Sequence, residues 1–406
     1  MQKNKITYSN NTVFDINEEL DTFTFGITLD AGSRKDPIGK HGMAHLVEHM
    51  SLKGFKGLGS LAFARKMEIL GLEYNAFTTK EVVHYYIRGL VKVYRKGVRL
   101  LLKSILTPNY TEKGLLKEKQ VINEEIDSYL EDFEEQIFEI SDSFIFEQQS
   151  YSKSILGTKE TLENIGLDDL NGFHKNWYQC RAILAVSGGL SSSDMEWTKN
   201  TLNAYGLNEK LSNYDGDEIQ LKSRAIEVLS NKSAQNSHIL MSRFIFLEEQ
   251  DFRFHLALLN IILSDGMSSK LFWQIREKLN ITYNIYSTYT FVGKYLIFQV
   301  YSSLAQKNLK KCINAIEKIC IDLGRNIKEV ELQRAKTQLK TQMAIEEENS
   351  LGRVQAFTKD MMIFGNPTLL KDDLSLIDGI SLDDILDIGD KLSKAVPNWV
   401  IIKKGS

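Results

Sequence analysis

Hydrophobic and polar residues alternate with period two from Thr22 to Leu29, placing Phe23, Phe25, Ile27 and Leu29 on one side. That pattern predicts a strand with one buried face. Ala31-Gly32-Ser33 ends it, and the polar loop 34–40 leads into a helical stretch with small residues at Gly42 and Ala44. An amphipathic helix is predicted over 60–70, a strand and turn over 72–79, and a further strand over 82–90. Helices are predicted over 92–105 and 112–134. The acidic segment 131–147 carries apolar residues at helical spacing and reads as a solvated helix face, with an acidic wall for basic peptides as the weaker alternative. Helices to Tyr178, a strand over 182–187 and the pair Gly188-Gly189 complete the first half.

The polar stretch 203–222, with Gly206, Asn213 and Gly216, reads as a linker. The plan then begins again. Strands are predicted over 226–229 and 238–246, helices over 253–263 and 268–279, and long strand material over 283–301. Helices over 308–323, 327–347, 354–364 and 382–392 and a strand over 399–402 close the chain. No repeat is visible letter by letter. Strands mixed with long helices in both halves predict an α+β protein of two similar domains, 1–205 and 223–406, each a mixed sheet packed with helices.

Composition narrows the function classes. A chain of 406 residues can bury more than one core, and 43% hydrophobic with 25% charged residues is ordinary for a globular protein. The net charge of −3 leaves no basic surplus to neutralise phosphates, which argues against a nucleic-acid binder. No apolar run reaches membrane-spanning length. The first residues carry neither the apolar segment of a secretory signal nor an Arg-rich amphipathic pattern. Three scattered cysteines without CxxC spacing predict reduced thiols in a cytoplasm, with Cys312 and Cys320 as core residues of one helix.

The candidate chemistry lies in His45-Leu46-Val47-Glu48-His49. On a helix, residues four apart share a face, so His45 and His49 can each offer a ring nitrogen to one zinc ion. Glu48 stands beside them, placed to face a metal-bound water without being a ligand. A third ligand has a candidate. Glu118 and Glu125 are seven apart in the helical stretch KEKQVINEEIDSY and share a face, and seventy-five residues lie between His49 and Glu125. Glu124 reads as part of a solvated face. His41, four before His45, reads as a surface or supporting histidine, and His84 as an ordinary strand histidine.

The H-x-x-E-H order inverts the commoner H-E-x-x-H and is the inverzincin signature. With a glutamate about 75 residues on and a second one seven before it, the chain resembles the pitrilysin, insulysin and mitochondrial processing peptidase family of zinc metallopeptidases, as a short bacterial-type member. The resemblance runs from Thr22 to about Tyr301. It implies that His45, His49 and Glu125 bind one Zn2+, that Glu48 is the general base, and that Glu118 orients a ligand histidine. Asn75-Ala76-Phe77-Thr78 resembles the family's edge strand, to which a substrate peptide adds as a further strand. Asn75 and Ala76 would touch the peptide backbone, and Phe77 would line a side-chain pocket or belong to the core.

Arg276 and Tyr283, seven apart after Ser268-Ser269-Lys270-Leu271-Phe272, resemble the pair that binds the substrate backbone and the attacked carbonyl. The resemblance further implies one half of a clamshell. Members of this length pair into homo- or heterodimers around a chamber that admits unfolded peptides, and some trim leader peptides from ribosomally made natural products. Two other readings stay open: a non-catalytic subunit of such a complex, and a zinc hydrolase acting on a small molecule.

Overall fold

The computed structural model describes residues 5–146, 149–178, 182–207, 221–222, 226–247, 252–292 and 294–405. The chain divides into two compact units, each built on one mixed sheet packed with helices. The first comprises Met1–Ser128, Lys153–Asp215 and Glu346–Thr368; the second comprises Tyr129–Ser152, Gly216–Ile345 and Leu369–Ser406. The units therefore differ from the contiguous halves 1–205 and 223–406. A helical segment of each half belongs to the other unit. Most of the expected linker, 208–220, lies outside the described residues, as does Cys180.

The first unit's strands are β1 (Lys5–Ser9), β2 (Thr12–Ile16), β3 (Thr22–Leu29), β4 (Glu73–Thr78), β5 (Val83–Leu90) and β6 (Ala182–Gly188), in the order β1-β2-β6-β3-β5-β4. β2 and β6 are parallel and the other pairs antiparallel. The helices used below are α1 (Met43–Ser51), α2 (Ser60–Ile69), α3 (Tyr94–Leu106), α4 (Glu112–Tyr129) and α5 (Phe133–Ile145). One face of the sheet carries Phe23, Phe25, Ile27, Tyr85 and Ile87 against apolar residues of α1 to α4.

β3 is buried on both faces, not one. Its small and polar residues Thr24, Gly26 and Thr28 face the helix Ser350–Ile363, whose Val354, Phe357 and Met361 pack on Val13, Ile183 and Ala185. A Cβ on Gly26 would collide with Val354 Cγ1, so the missing side chain is what lets the helix approach. Arg353 is fully buried with Asp15 and Ser187. Its Nε lies 2.6 Å from Asp15 Oδ2 and its Nη2 donates to Ser187 Oγ at 2.9 Å. β2 escapes an alternation search because all five of its residues are buried.

The second unit's sheet, β7 (Ile226–Asn231), β8 (Ser237–Phe246), β9 (Thr282–Val292), β10 (Tyr295–Leu304) and β11 (Asn398–Lys404), has the order β7-β11-β8-β10-β9. It repeats the first sheet from β2 onward, with β7 and β11 as its one parallel pair. The two domains are thus similar in topology without sequence repetition. The expected helix 112–134 ends at Tyr129. Asp132 then starts a new one, its Oδ1 accepting the backbone N–H groups of Glu134 and Glu135 at 2.9 and 3.2 Å. That new helix, α5, is not a solvated element. It buries Ile137, Ser141 and Ile145, and Ile137 packs with Leu240 and Val400 of the second sheet. Cys312 and Cys320 are buried free thiols. Among the described residues no helix is long and apolar enough to cross a membrane.

Candidate metal centre and its surroundings

α1 begins at a tight approach. Gly42, at its N-cap, has φ 94°, and a Cβ there would lie 2.5 Å from the Leu156 carbonyl oxygen. Asp36 supplies the cap that Gly42 lacks: Oδ2 accepts from Gly42 N at 2.7 Å and Oδ1 from Ala44 N at 2.8 Å. Burial pushes the Asp36 carboxyl up to about 7 against the pull of those donors. Met43, Ala44, Leu46, Val47 and Met50 anchor α1 in the core. That leaves His45 and His49 on one face, their ring centroids 4.5 Å apart.

α4 approaches with its own stripe of buried Leu115, Glu118, Ile122 and Ile126. Glu125, beside that stripe, reaches both imidazoles: Oε2 is 3.9 Å from His45 Nε2 and Oε1 is 3.8 Å from His49 Nε2. His45, His49 and Glu125 each offer one ligand atom, and these lie within 4.8 Å of one another. Two ligands about 2.1 Å from a tetrahedral ion stand about 3.4 Å apart. The three donors are too far apart to bond one another and near the separation one ion needs. Two imidazoles and a carboxylate are also the chemical set that zinc takes. Burial, then the neighbouring His49, pushes His45 down to about 3, so its ring stays neutral and keeps a lone pair for a metal. The site fits zinc.

Glu118 occupies an otherwise apolar stripe, with 3% of its surface exposed. Its Oε2 lies 3.5 Å from His49 Nδ1 and its Oε1 lies 3.1 Å from Lys53 Nζ. Burial works against its ionisation, but His49 and Lys53 outweigh that and hold its carboxyl below the usual range. For His49, burial lowers the pKa, and Glu118, Glu125 and Glu48 outweigh it and raise it. Glu48 is buried beside the cluster. Desolvation raises its pKa, and the hydroxyl of Thr78, which donates to Oε2 at 2.7 Å, works the other way. Lys53 and Thr78 were not singled out from the sequence. Thr78 has a signal there, since period-two alternation along β4 puts it in register with the inward Tyr74 and Ala76.

β4 is an edge strand, paired among the described residues only with β5. Asn75 and Phe77 are exposed and Ala76 is half-buried toward the core. Asn75 Oδ1 accepts from Ala76 N at 2.9 Å. Phe77, 40% exposed, is not a core residue; it stacks at 5.1 Å on His84. His84 is buried and shares a 2.7 Å hydrogen bond with Thr28 Oγ1, so Phe77 stands on the sheet face away from Ala76. His41 is outside the cluster. It is buried, with its carbonyl accepting from Thr161 Oγ1 at 2.8 Å. Glu124 is exposed, as expected.

Arg276 and Tyr283 belong to the second unit. Arg276 sits on a π-helical turn, Phe272–Lys278, a rare geometry that recurs at functional sites. Its Cζ lies 4.3 Å from the Tyr283 ring and 4.5 Å from the Phe272 ring. Tyr283 is 80% exposed, and both residues line an open pocket of about 660 Å3 with Asn236 and Asn280.

Residues 12–159 match the insulinase domain of peptidase family M16, and residues 164–339 match the family's inactive domain. An uncharacterized zinc protease of Bacillus subtilis is 24% identical over 92% of this chain and 91% of its own length. The mitochondrial-processing peptidase subunit beta of Bos taurus is also 24% identical, over 91% of this chain and 77% of its own. A protease of Helicobacter pylori, solved by crystallography, shares the fold with a TM-score of 0.85 at 19% identity, covering 99% of this chain and 100% of its own. The family and the names of the two sequence relatives support a metallopeptidase. With two adjoining domain matches running from β2 into the second unit, this chain belongs to peptidase family M16, the insulinase family.

Proposed function

We propose that this chain is a zinc-dependent endopeptidase that cleaves unfolded or leader peptides, with Glu48 as general base. The observation that carries this reading is the convergence of His45, His49 and Glu125 within 4.8 Å of one another, next to the buried Glu48. Those three residues would hold one Zn2+ per chain, which would supply Lewis acidity when bound. Glu48 takes the proton of the attacking water and returns it to the leaving amine. Glu118, braced by Lys53, holds the His49 ring in orientation. The open edge of β4 takes the peptide as an added strand, with Asn75 and Ala76 on its backbone and sequence-tolerant main-chain hydrogen bonds supplying affinity. Phe77 would serve a substrate side chain only on the face it shares with His84. Arg276 and Tyr283, a cation and a phenol donor packed together, are assigned to the substrate backbone and the carbonyl oxygen.

The subunit name of the mitochondrial relative favours a second reading: the chain works as a homodimer, or as a heterodimer with a related catalytic or non-catalytic subunit. Its peptide-bound form would then enclose a chamber. Two buried, unpaired thiols support a cytoplasmic setting.

The test is zinc content together with cleavage of a quenched fluorescent peptide library, for wild type and Glu48→Gln. Stoichiometric zinc in both with cleavage only in wild type is expected, with Glu48→Gln reducing kcat at least about 100-fold. Zinc in both and cleavage in neither, restored by a co-purified partner, would favour the heterodimer. A chain that binds no zinc would sink the assignment.

A further inference from the structure

We propose that Thr78 is the positioning residue of Glu48, and that it ties the base to the edge strand offered to substrate. The inference rests on the reading of Glu48 as base and names a residue that reading does not require. Thr78 is the last residue of β4, and its register with Tyr74 and Ala76 turns its side chain toward α1. Its hydroxyl donates to Glu48 Oε2 at 2.7 Å. Among the described residues Glu48 makes no other side-chain hydrogen bond. A buried carboxylate with one oxygen held and the other open has a fixed direction for proton transfer; without the donor it can rotate about its last torsions.

The backbone that presents the hydroxyl is itself fixed. Thr79 N donates to Val82 O at 2.8 Å, and Thr79 Oγ1 accepts from Val82 N at 3.0 Å, closing the turn that follows. A peptide adding to the edge of β4 would order the same strand that orients the base. Strand addition and base alignment would then be one event, which is how binding energy from remote residues reaches the reacting centre.

The experiment compares Thr78→Val, which keeps the branched shape and removes the donor, with Thr78→Ser, which keeps the donor. Zinc content, thermal midpoint, kcat and KM are read for each, and crystal structures are solved for wild type and Thr78→Val. The expected result for Thr78→Val is kcat lower by roughly 10- to 100-fold with KM little changed. Zinc content and midpoint stay at wild-type values, Thr78→Ser recovers most of kcat, and the Glu48 carboxylate is displaced or disordered in the Val structure. Wild-type kcat in Thr78→Val overturns the proposal, and so does a loss that follows zinc content or stability and that Ser does not rescue. If wild type cleaves nothing, alone or with a co-purified partner, the peptidase reading fails. The crystal structures still decide the positioning role, since an unmoved Glu48 carboxylate would overturn it.

Discussion

Replacing Arg353 by Met should destabilise the first unit more than any single change at the candidate metal centre. The guanidinium is 2% exposed and its partner Asp15 0%; Nε lies 2.6 Å from Asp15 Oδ2, and the Ser187 hydroxyl bridges both, accepting from Nη2 at 2.9 Å and donating to Asp15 Oδ2 at 2.7 Å. Removing the cation keeps a carboxylate in the core while taking away the charge that offsets its desolvation. Such broken buried pairs cost about 3–5 kcal/mol. The helix that carries Arg353 also covers β3 and β6, so the loss falls on the unit's own packing. For a unit of about 200 residues, each kcal/mol moves the midpoint by about 2–4 °C, giving a fall of roughly 6–20 °C. Calorimetry and denaturant titration at a fixed, saturating zinc concentration would read it, because metal bound to the folded state shifts the midpoint by itself. The double variant Asp15→Leu/Arg353→Met removes both charges and should be more stable than Arg353→Met alone. A single-variant loss below about 1 kcal/mol, or a double variant as unstable as the sum of its singles, would refute the reasoning.

Gly26→Ala should cost about 1–3 kcal/mol by overpacking, since its methyl group meets Val354 Cγ1 and lies 3.1 Å from His84 Cε1; an unchanged unfolding midpoint would show that the helix can retreat without loss. Glu118→Gln should weaken zinc binding by roughly 10- to 100-fold in a chelator competition, because it removes the carboxylate 3.5 Å from His49 Nδ1 and leaves Lys53 without its counter-charge. Equal zinc affinity in variant and wild type would remove Glu118 from the site.

Much of the candidate site is legible along the chain because its spacing is local. His45 and His49 share a helix face by the i, i+4 relation, and Glu118 and Glu125 by seven residues on one helix, with the same periodicity burying Leu46, Ile122 and Ile126 beneath them. The β4 alternation likewise tells Asn75 and Phe77 from Ala76 and Thr78. What local pattern does not contain is the partner across the fold. Lys53 and Thr78 touch Glu118 and Glu48 only because separate elements converge; alternation gives the side of β4 on which Thr78 lies, but not the carboxylate it meets there. Phe77 shows the same limit: alternation places it opposite Ala76, and only His84 beneath it shows which surroundings that face has.

Sequence alone therefore determined the element types, the two-domain α+β plan and the shared helix faces of His45 with His49 and of Glu118 with Glu125, because hydrophobic periodicity and side-chain spacing are properties of a single helix or strand, while the pairing of the histidines with Glu125 is what the family resemblance implies. Tertiary structure decided which helix covers which sheet. The polar side of β3 reads as solvent-facing until a helix more than three hundred residues later closes over it, and the acidic α5 reads as solvated until Ile137 meets Leu240 and Val400. The physical reason is that burial depends on what packs against a face. A face of Thr and Gly, or a helix rich in Glu, can be buried when a distant partner satisfies its polar groups, as Ser350 Oγ does for Thr24 Oγ1 at 2.7 Å and Ser242 Oγ for Ser141 Oγ at 3.0 Å.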